Sequence, residues 1–283
     1  MHSILSGPLS IEKLTVAIAD LPLSLQGTKL VQLSDFHYDG LRLSEKMLEK
    51  AIAASNEAEP DLVLLTGDYV TDDPTPIHQL ALRLKHLQSR AGIYAVLGNH
   101  DIYYPNSKAE ITTALTNIGI HVLWNQIAYP LGKELPIVGL ADYWSTEFNI
   151  KLTLSQLNTE TPRIVLSHNP DTAQLLKYWR VDLQLSGHTH GGQITIPGIG
   201  PVVTQYKKIR RSIPKSIRHK IPFMRKDCAK VVRRWEWAQG FHQVEKNQLY
   251  VNRGLGTYFP GRLFCPPEVT IITLVTTAVK NDD

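Results

Sequence analysis

Five short stretches of this 283-residue chain are dense in side chains that hold metal ions. They read Ser34-Asp35-Phe36-His37, Thr66-Gly67-Asp68, Gly98-Asn99-His100-Asp101, Ser167-His168-Asn169 and Gly187-His188-Thr189-His190. Between them they offer carboxylates, imidazoles and neutral amides, a mixed oxygen and nitrogen set of the kind that Mn, Fe, Zn or Co accepts. In the last stretch two histidines stand one residue apart, so an extended backbone aims both rings the same way. The glycines around them let the backbone approach an ion closely and adopt turns closed to other residues. Each stretch alone says little, because an Asp-x-His or a Gly-Asp turn arises by chance. The weight lies in their joint occurrence, each directly after an apolar run.

Those runs are Lys29–Leu33, Leu62–Leu65, Ile93–Leu97, Ile164–Leu166 and Val181–Leu185. Their length and β-branched content predict buried strands. Helical segments lie between them: SEKMLEKAIAASNEA with Ser44 as N-cap, TPIHQLALRLKHLQ, NSKAEITTALTNIG, and NPDTAQLLKYW with Asp171 placed to cap. Strands alternating with helices give α/β layers. In such sheets ligands collect beyond the carboxyl ends of the strands, where all five stretches fall. HVLWNQIAYP, ELPIVGLAD, QLYVNRG and EVTIITLVT add strands without long helices between them, which predicts a second sheet or a sheet extension. With neither repeats nor a low-complexity linker, residues 1–283 read as a single domain.

The totals set bounds. Apolar residues make up 43% and charged residues 20%, the composition of a globular protein with a sizeable core. Two cysteines, Cys228 and Cys265, make no disulfide framework and point to a reducing compartment. The N-terminus lacks a basic stretch followed by an apolar one, and no run of about 18 apolar residues occurs. The expected location is the cytoplasm, at most peripheral on a membrane. The net charge of +4 hides an asymmetry. Lys207 to Arg234 holds twelve Lys or Arg and one acid, Asp227, a local +11 that leaves −7 for the rest.

Taken together, SDFH, GDYVT, GNHD, SH and GHTHGG resemble the calcineurin-like metallophosphoesterase superfamily, over Asp35 to His190. Similarity continuing through QLYVNRGLGT and FCPPEVTIITL looks like a bacterial branch that includes membrane-associated phosphodiesterases and a UDP-diacylglucosamine pyrophosphohydrolase. The resemblance implies an α/β fold, a four-layer α/β/β/α sandwich of two mixed sheets with a dimetal site at one edge. It implies that Asp35, His37 and His190 hold one ion, that Asn99, His168 and His188 hold the other, and that Asp68 bridges both. His100 would be the catalytic histidine that binds no metal, with Asp101 orienting it. None of these ligand positions departs from the family's pattern.

That constellation suits phosphoester hydrolysis. Two divalent or trivalent ions roughly 3.5–4 Å apart bring a water from a pKa of about 15.7 toward neutrality and offset charge on the phosphoryl oxygens. Neutral Asn99 adds a ligand without adding charge. The imidazole of His100 can act as general acid and protonate the leaving oxygen. Attack is expected to be direct, with no phosphoenzyme. The substrate class expected from the branch is a phosphodiester or pyrophosphate, lipid-linked in one version. The rival enzyme reading is a nuclease or cyclic-nucleotide phosphodiesterase. The rival outside catalysis is a metal-stabilised interaction module, which would have no use for His100.

Three further features stay open. The Arg253-Gly254-Leu255-Gly256 loop is either an ordinary turn or a source of a cation and N–H groups for a phosphate. His2, His78, His86, His121, His219 and His242 fit no motif and read as structural or surface residues. The basic segment at 207–234 reads as an insertion, with Ile209, Ile213, Ile217 and Ile221 at every fourth position and breaks at Pro214 and Pro222. It is a lid whose isoleucines pack on the domain, a segment for an anionic membrane surface, or, less favoured, a nucleic-acid grip.

Overall fold

The computed structural model describes residues 6–214, Ile217 and residues 231–277. The chain enters through β1 (Ser10–Ile18) and β2 (Lys29–Leu33), followed by α1 (Glu45–Glu57), β3 (Leu62–Leu65), α2 (Ile77–Leu84), β4 (Ile93–Ala95), α3 (Ser107–Thr116) and β5 (Ile120–Val122). It then builds β6 (Gln126–Ala128), β7 (Ile137–Gly139), α4 (Ile150–Leu154), β8 (Ile164–Leu166), α5 (Ala173–Leu176) and β9 (Leu183–Ser186). A small hairpin follows, β10 (Thr195–Ile196) and β11 (Gly200–Pro201), and then α6 (Val202–Ser212). The chain ends with β12 (Gly240–Val244), β13 (Asn247–Val251) and β14 (Glu268–Thr276).

Two six-stranded sheets result, in the orders β1-β14-β2-β3-β4-β5 and β12-β13-β9-β8-β7-β6. Both are mixed. In the first, β2, β3, β4 and β5 run parallel while β14 is antiparallel to β2. In the second, β7, β8, β9 and β13 run parallel while β6 and β12 are antiparallel edges.

The period of two along each strand sorts side chains into layers. Leu30, Leu62 and Leu64 face the second sheet and pack with Ile137, Ile164, Leu166, Leu183 and Leu185. Their alternates Val31, Val63 and Leu65 face Leu48, Ile52, Leu80 and Ile111 on α1, α2 and α3. On the far side Val138 and Val165 cover Leu154 of α4 and Leu176 of α5. This is the α/β/β/α sandwich. Each such side chain, removed from water, stabilises the fold by about 1.5–3 kcal/mol before chain entropy is counted.

Ser44 caps α1 as its sequence predicts, its side chain accepting from the Met47 N–H. Asp171 does not cap. Asn169 accepts the Asp171 N–H, while the Asp171 carboxylate accepts the N–H groups of Arg233 and Arg234 at 2.6 and 3.1 Å. A carboxylate so placed ties the end of the basic segment to the turn after β8 of the second sheet. The predicted segment 207–234 falls largely outside the described residues, Ile221, Pro222 and Cys228 among them. Its described beginning belongs to α6, where Ile209 is 55% exposed, and Ile217 beyond it is 49% exposed. Among the described residues no helix is long and apolar enough to cross a membrane.

Candidate metal centre

The parallel strands β2, β3 and β4 of one sheet and β8 and β9 of the other end at the same edge. Each predicted stretch starts there. Asp35, His37 and His190 come together, with one ligand atom from each within 4.8 Å of the others, and so do Asp68, His168 and His188. Asp68 reaches across the two groups: its Oδ2 lies 3.1 Å from His168 Nε2 and 3.5 Å from His37 Nε2. His100 also stands within the same span of His37 and Asp68.

The backbone is bent to make this possible. Asp35, His37, Asp68, His188 and His190 all have φ between 44° and 73°. Side chains other than glycine rarely enter this region, and each instance costs of order 1–3 kcal/mol. The glycines beside them allow close approach. A Cβ on Gly187 would lie 2.2 Å from Asp35 Oδ2, and one on Gly98 would lie 2.2 Å from Asp68 Oδ1.

Hydrogen bonds fix which nitrogen of each ring faces inward. His168 Nδ1 sits 2.7 Å from the Thr66 carbonyl, His190 Nδ1 3.1 Å from the Gly256 carbonyl, and His37 Nδ1 3.0 Å from Tyr258 Oη. A carbonyl accepts only from N–H, so Nε2 of His190 carries the lone pair, and Nε2 of His168 does so once its second proton has left. His188 is turned the other way, its Nε2 donating to the Val231 carbonyl at 3.1 Å. The inward nitrogens then meet in pairs, His190 Nε2 at 3.0 Å from His37 Nε2 and His188 Nδ1 at 3.1 Å from His168 Nε2. Nitrogens that converge so closely suit a shared cation in place of the protons between them.

Charge agrees with this geometry. Burial holds the His37 and His188 imidazoles down to about 3 and His190 well below its ordinary value, so all three are neutral. His168 goes the other way: burial opposes its charge, but the Asp68 carboxylate beside it raises it to about 10. Burial lifts Asp35 to about 6. Buried carboxylates that draw a proton onto an imidazole at neutral pH form a field in which a metal ion can replace that proton. A second observation tests the fit. Asn99 Oδ1 is shut off from solvent and has no hydrogen-bond partner, and Asn99 lines the same cavity as Asp68 and His188. Buried amide oxygens are seldom left unpaired without a reason, and a cation is one. The donor set, the tautomers and the orphaned oxygen all fit bound divalent metal.

One expectation is corrected, and one open alternative is decided. Asp101 does not orient His100. Its carboxylate accepts the N–H groups of Gly98, Asp68 and Tyr69, each at 2.8 Å, and so shapes the loop that carries Asp68. The His100 ring instead directs Nδ1 at the Thr71 carbonyl. Nor does Arg253 offer a cation to a phosphate. Its guanidinium pairs with Glu12 and with Glu268, and the loop's amides are taken, Leu255 N–H by the Ser34 carbonyl and Gly256 N–H by the Asp35 carbonyl. That loop buttresses the Asp35 turn, since a Cβ on Gly254 would lie 2.5 Å from Asp35 Cβ.

Three residues escaped the sequence reading. Tyr258 holds His37 and carries the Arg42 guanidinium 4.5 Å above its ring. Arg262 is a buried guanidinium that binds the carbonyls of Arg253, Gly254 and Gly256 at 2.8, 3.1 and 2.6 Å. Trp144 sets its indole edge-on to the His188 ring, centroids 5.4 Å apart. None lies in a motif, and nothing in its sequence surroundings marks it. Of the remaining histidines, His78 pairs with Glu110 at the surface, His121 stacks on Tyr94 and His242 faces the Gln239 carbonyl, while His2 and His219 lie outside the described residues.

The centre opens into a cavity of about 550 Å³. Asp68, Asn99, His100, His188 and His190 form its polar lining, and Trp144, Val203, Val231 and Trp235 its apolar lining.

A family profile described as calcineurin-like phosphoesterase matches residues 28–192. The chain is 32% identical over 270 residues to an uncharacterized metallophosphoesterase, YkuE, of Bacillus subtilis (strain 168), covering 93% of this chain and 84% of that one. It is 32% identical over 252 residues to phosphodiesterase YaeI of Escherichia coli (strain K12), covering 87% and 82%. It is 28% identical over 297 residues to UDP-2,3-diacylglucosamine pyrophosphatase LpxG of Chlamydia muridarum, covering 88% and 84%.

Proposed function

This chain belongs to the calcineurin-like phosphoesterase family and is a hydrolase of phosphoester bonds, and on that premise we propose that it cleaves a phosphodiester or pyrophosphate whose second substituent carries an apolar group. The observation that carries the proposal is the cavity. A lone phosphate would occupy only part of about 550 Å³, and the polar lining continues into Trp144, Val203, Val231 and Trp235. An apolar substituent gains from leaving water there, at about 25 cal/mol per Å² buried. Similarity to proteins named phosphodiesterase and UDP-2,3-diacylglucosamine pyrophosphatase supports the same class.

Asp35, His37 and His190 would hold one ion, Asn99, His168 and His188 the other, with Asp68 shared. Two such ions, when bound, supply an activated water and offset charge on the phosphoryl group. The chain's own part is orientation and proton supply. With Nδ1 directed at the Thr71 carbonyl, His100 keeps Nε2 for the cavity, where it protonates the leaving oxygen. The His100 N–H donates to Asp68 Oδ1 at 3.0 Å and so ties His100 to the shared carboxylate, while the Asp101 carboxylate holds the Asp68 N–H and with it that carboxylate's loop. Mn, Fe, Zn and Co all suit the donor set.

The test is Mn²⁺-dependent hydrolysis of bis-p-nitrophenyl phosphate beside p-nitrophenyl phosphate, with Asp68→Asn as control. Diester turnover above monoester turnover, lost in the variant, is expected. Monoester turnover in excess would overturn the substrate class.

A further inference from the structure

Two neighbouring turns at the rim of the cavity expose apolar side chains and no charge. One is the β10–β11 hairpin, with Ile196 42% and Ile199 59% exposed. The other is the loop after Tyr258, with Phe259 90%, Leu263 54% and Phe264 66% exposed. They are joined: the Thr195 N–H donates to the Leu263 carbonyl and the Leu263 N–H to the Gln193 carbonyl, both at 2.9 Å. The one charged residue between Gly254 and Pro267, Arg262, points inward and is buried. Phe264 sits at φ 52°, a conformation that suits Asn or Gly far better than a bulky ring. The fold tolerates that strain and leaves the ring in water, which packing does not explain.

Along the sequence, the charge in these turns and after the hairpin is of one sign. No acid occurs from Gln193 to Lys226, nor from Arg253 to Pro267. The hairpin runs directly into α6 and the segment Lys207–Arg234 with its local +11. We propose that these two turns form a membrane-docking face that inserts Ile196, Ile199, Phe259, Leu263 and Phe264 into an anionic bilayer, the excess of Lys and Arg in the adjoining sequence favouring anionic headgroups. Apolar tips flanked by cations are the chemistry that such an interface selects. Nucleic acid would reward stacking rings, and three of the five tips are aliphatic. Gln193 and Tyr258, where the two turns begin, both line the cavity, so docking brings its mouth to the lipid surface. Resting on the function proposed above, this makes the substrate's apolar group a lipid chain delivered from the bilayer.

Cosedimentation with phosphatidylcholine vesicles, with and without phosphatidylglycerol, tests it. The intact protein is expected to bind the anionic vesicles and not the neutral ones. Phe264→Asn, which the local backbone favours, combined with Ile199→Ser, is expected to weaken partitioning at least about tenfold, with turnover of a soluble diester unchanged. In a separate variant, Phe264→Trp, the tryptophan emission shifts to the blue on anionic vesicles. Undiminished binding by the double variant, no blue shift, or no binding of the intact protein to anionic vesicles would each overturn the proposal. Vesicle binding without any phosphoesterase turnover would instead refute the functional reading and leave the docking face standing.

Discussion

The His188 backbone N–H donates to both carboxylate oxygens of Asp35, at 2.9 and 3.0 Å, although 153 residues separate them. His188 follows β9 of one sheet and Asp35 follows β2 of the other, so this contact couples the two sheet edges at the candidate centre. It exists because Gly187 has no side chain. Gly187→Ala would place a methyl 2.0 Å from Ser34 Oγ and 2.2 Å from Asp35 Oδ2. The expected outcome is at least about a hundredfold loss of kcat/KM, the scale of a 1 Å misplacement of catalytic groups. Steady-state kinetics with a diester substrate check it, and a loss under threefold would contradict the role given to this contact.

His100 and Asp101 are neighbours with separate tasks, and their variants should fail differently. His100→Asn is expected to keep its metal content and lose about 10²–10⁴ in kcat, the range of general acid–base catalysis. Asp101→Asn puts an NH₂ group against the N–H groups of Gly98, Asp68 and Tyr69 and is expected to cost stability, about 2 kcal/mol or more. Metal analysis, kinetics and urea unfolding on the two purified variants separate these outcomes. Loss of bound metal in His100→Asn would make it a ligand instead.

Metal affinity should rise with pH in a particular way. Without metal, His168 holds a proton up to about pH 10, while His37 and His188 are already neutral above about 3. A metal entering the Asp68–His168–His188 group at neutral pH must therefore displace one proton, that of His168. The apparent affinity is expected to increase about tenfold per pH unit from 7 to 9. Below about pH 6 the slope steepens at the other group, where Asp35 also becomes protonated. Competition with a chromophoric chelator measures this, and affinity independent of pH would contradict the charge assignment.

Arg262 stands behind His190. It binds the Gly256 carbonyl that also faces His190 Nδ1, so one acceptor serves both the cation and the ring. Arg262→Met removes the donors that satisfy three buried carbonyls and is expected to destabilise the metal-loaded protein by about 3 kcal/mol or more. Arg262→Lys should not rescue, because an ammonium lacks the planar fork. Urea denaturation checks both variants, and a change within about 0.5 kcal/mol would show the guanidinium to be dispensable.

Much of this arrangement is legible in the sequence. The apolar runs of β2, β3, β8 and β9 and the polar residues that follow them fix which side chains reach the sheet edge, because strand period and strand end leave little choice. β1 is harder to see: in SIEKLTVAI only Val16 and Ile18 are buried, so a largely exposed edge strand lacks a continuous apolar signal. The work of Asp171 and Tyr258 is set by partners 62 and 221 residues away in sequence, and no local pattern encodes contacts of that range. Asp101 shows the converse error. The family resemblance assigns it to orient His100, but the tight turn points its carboxylate back at the amides of the Asp68 loop.

The central claim is that two metal sites share one carboxylate. The most direct measurement is the metal content of the purified protein after manganese loading, by inductively coupled plasma mass spectrometry, alongside Asp68→Ala. Two ions per chain in the native protein, and loss of both in the variant, are predicted. A single ion in the native protein, or an Asp68→Ala variant that keeps its full complement, would contradict the claim.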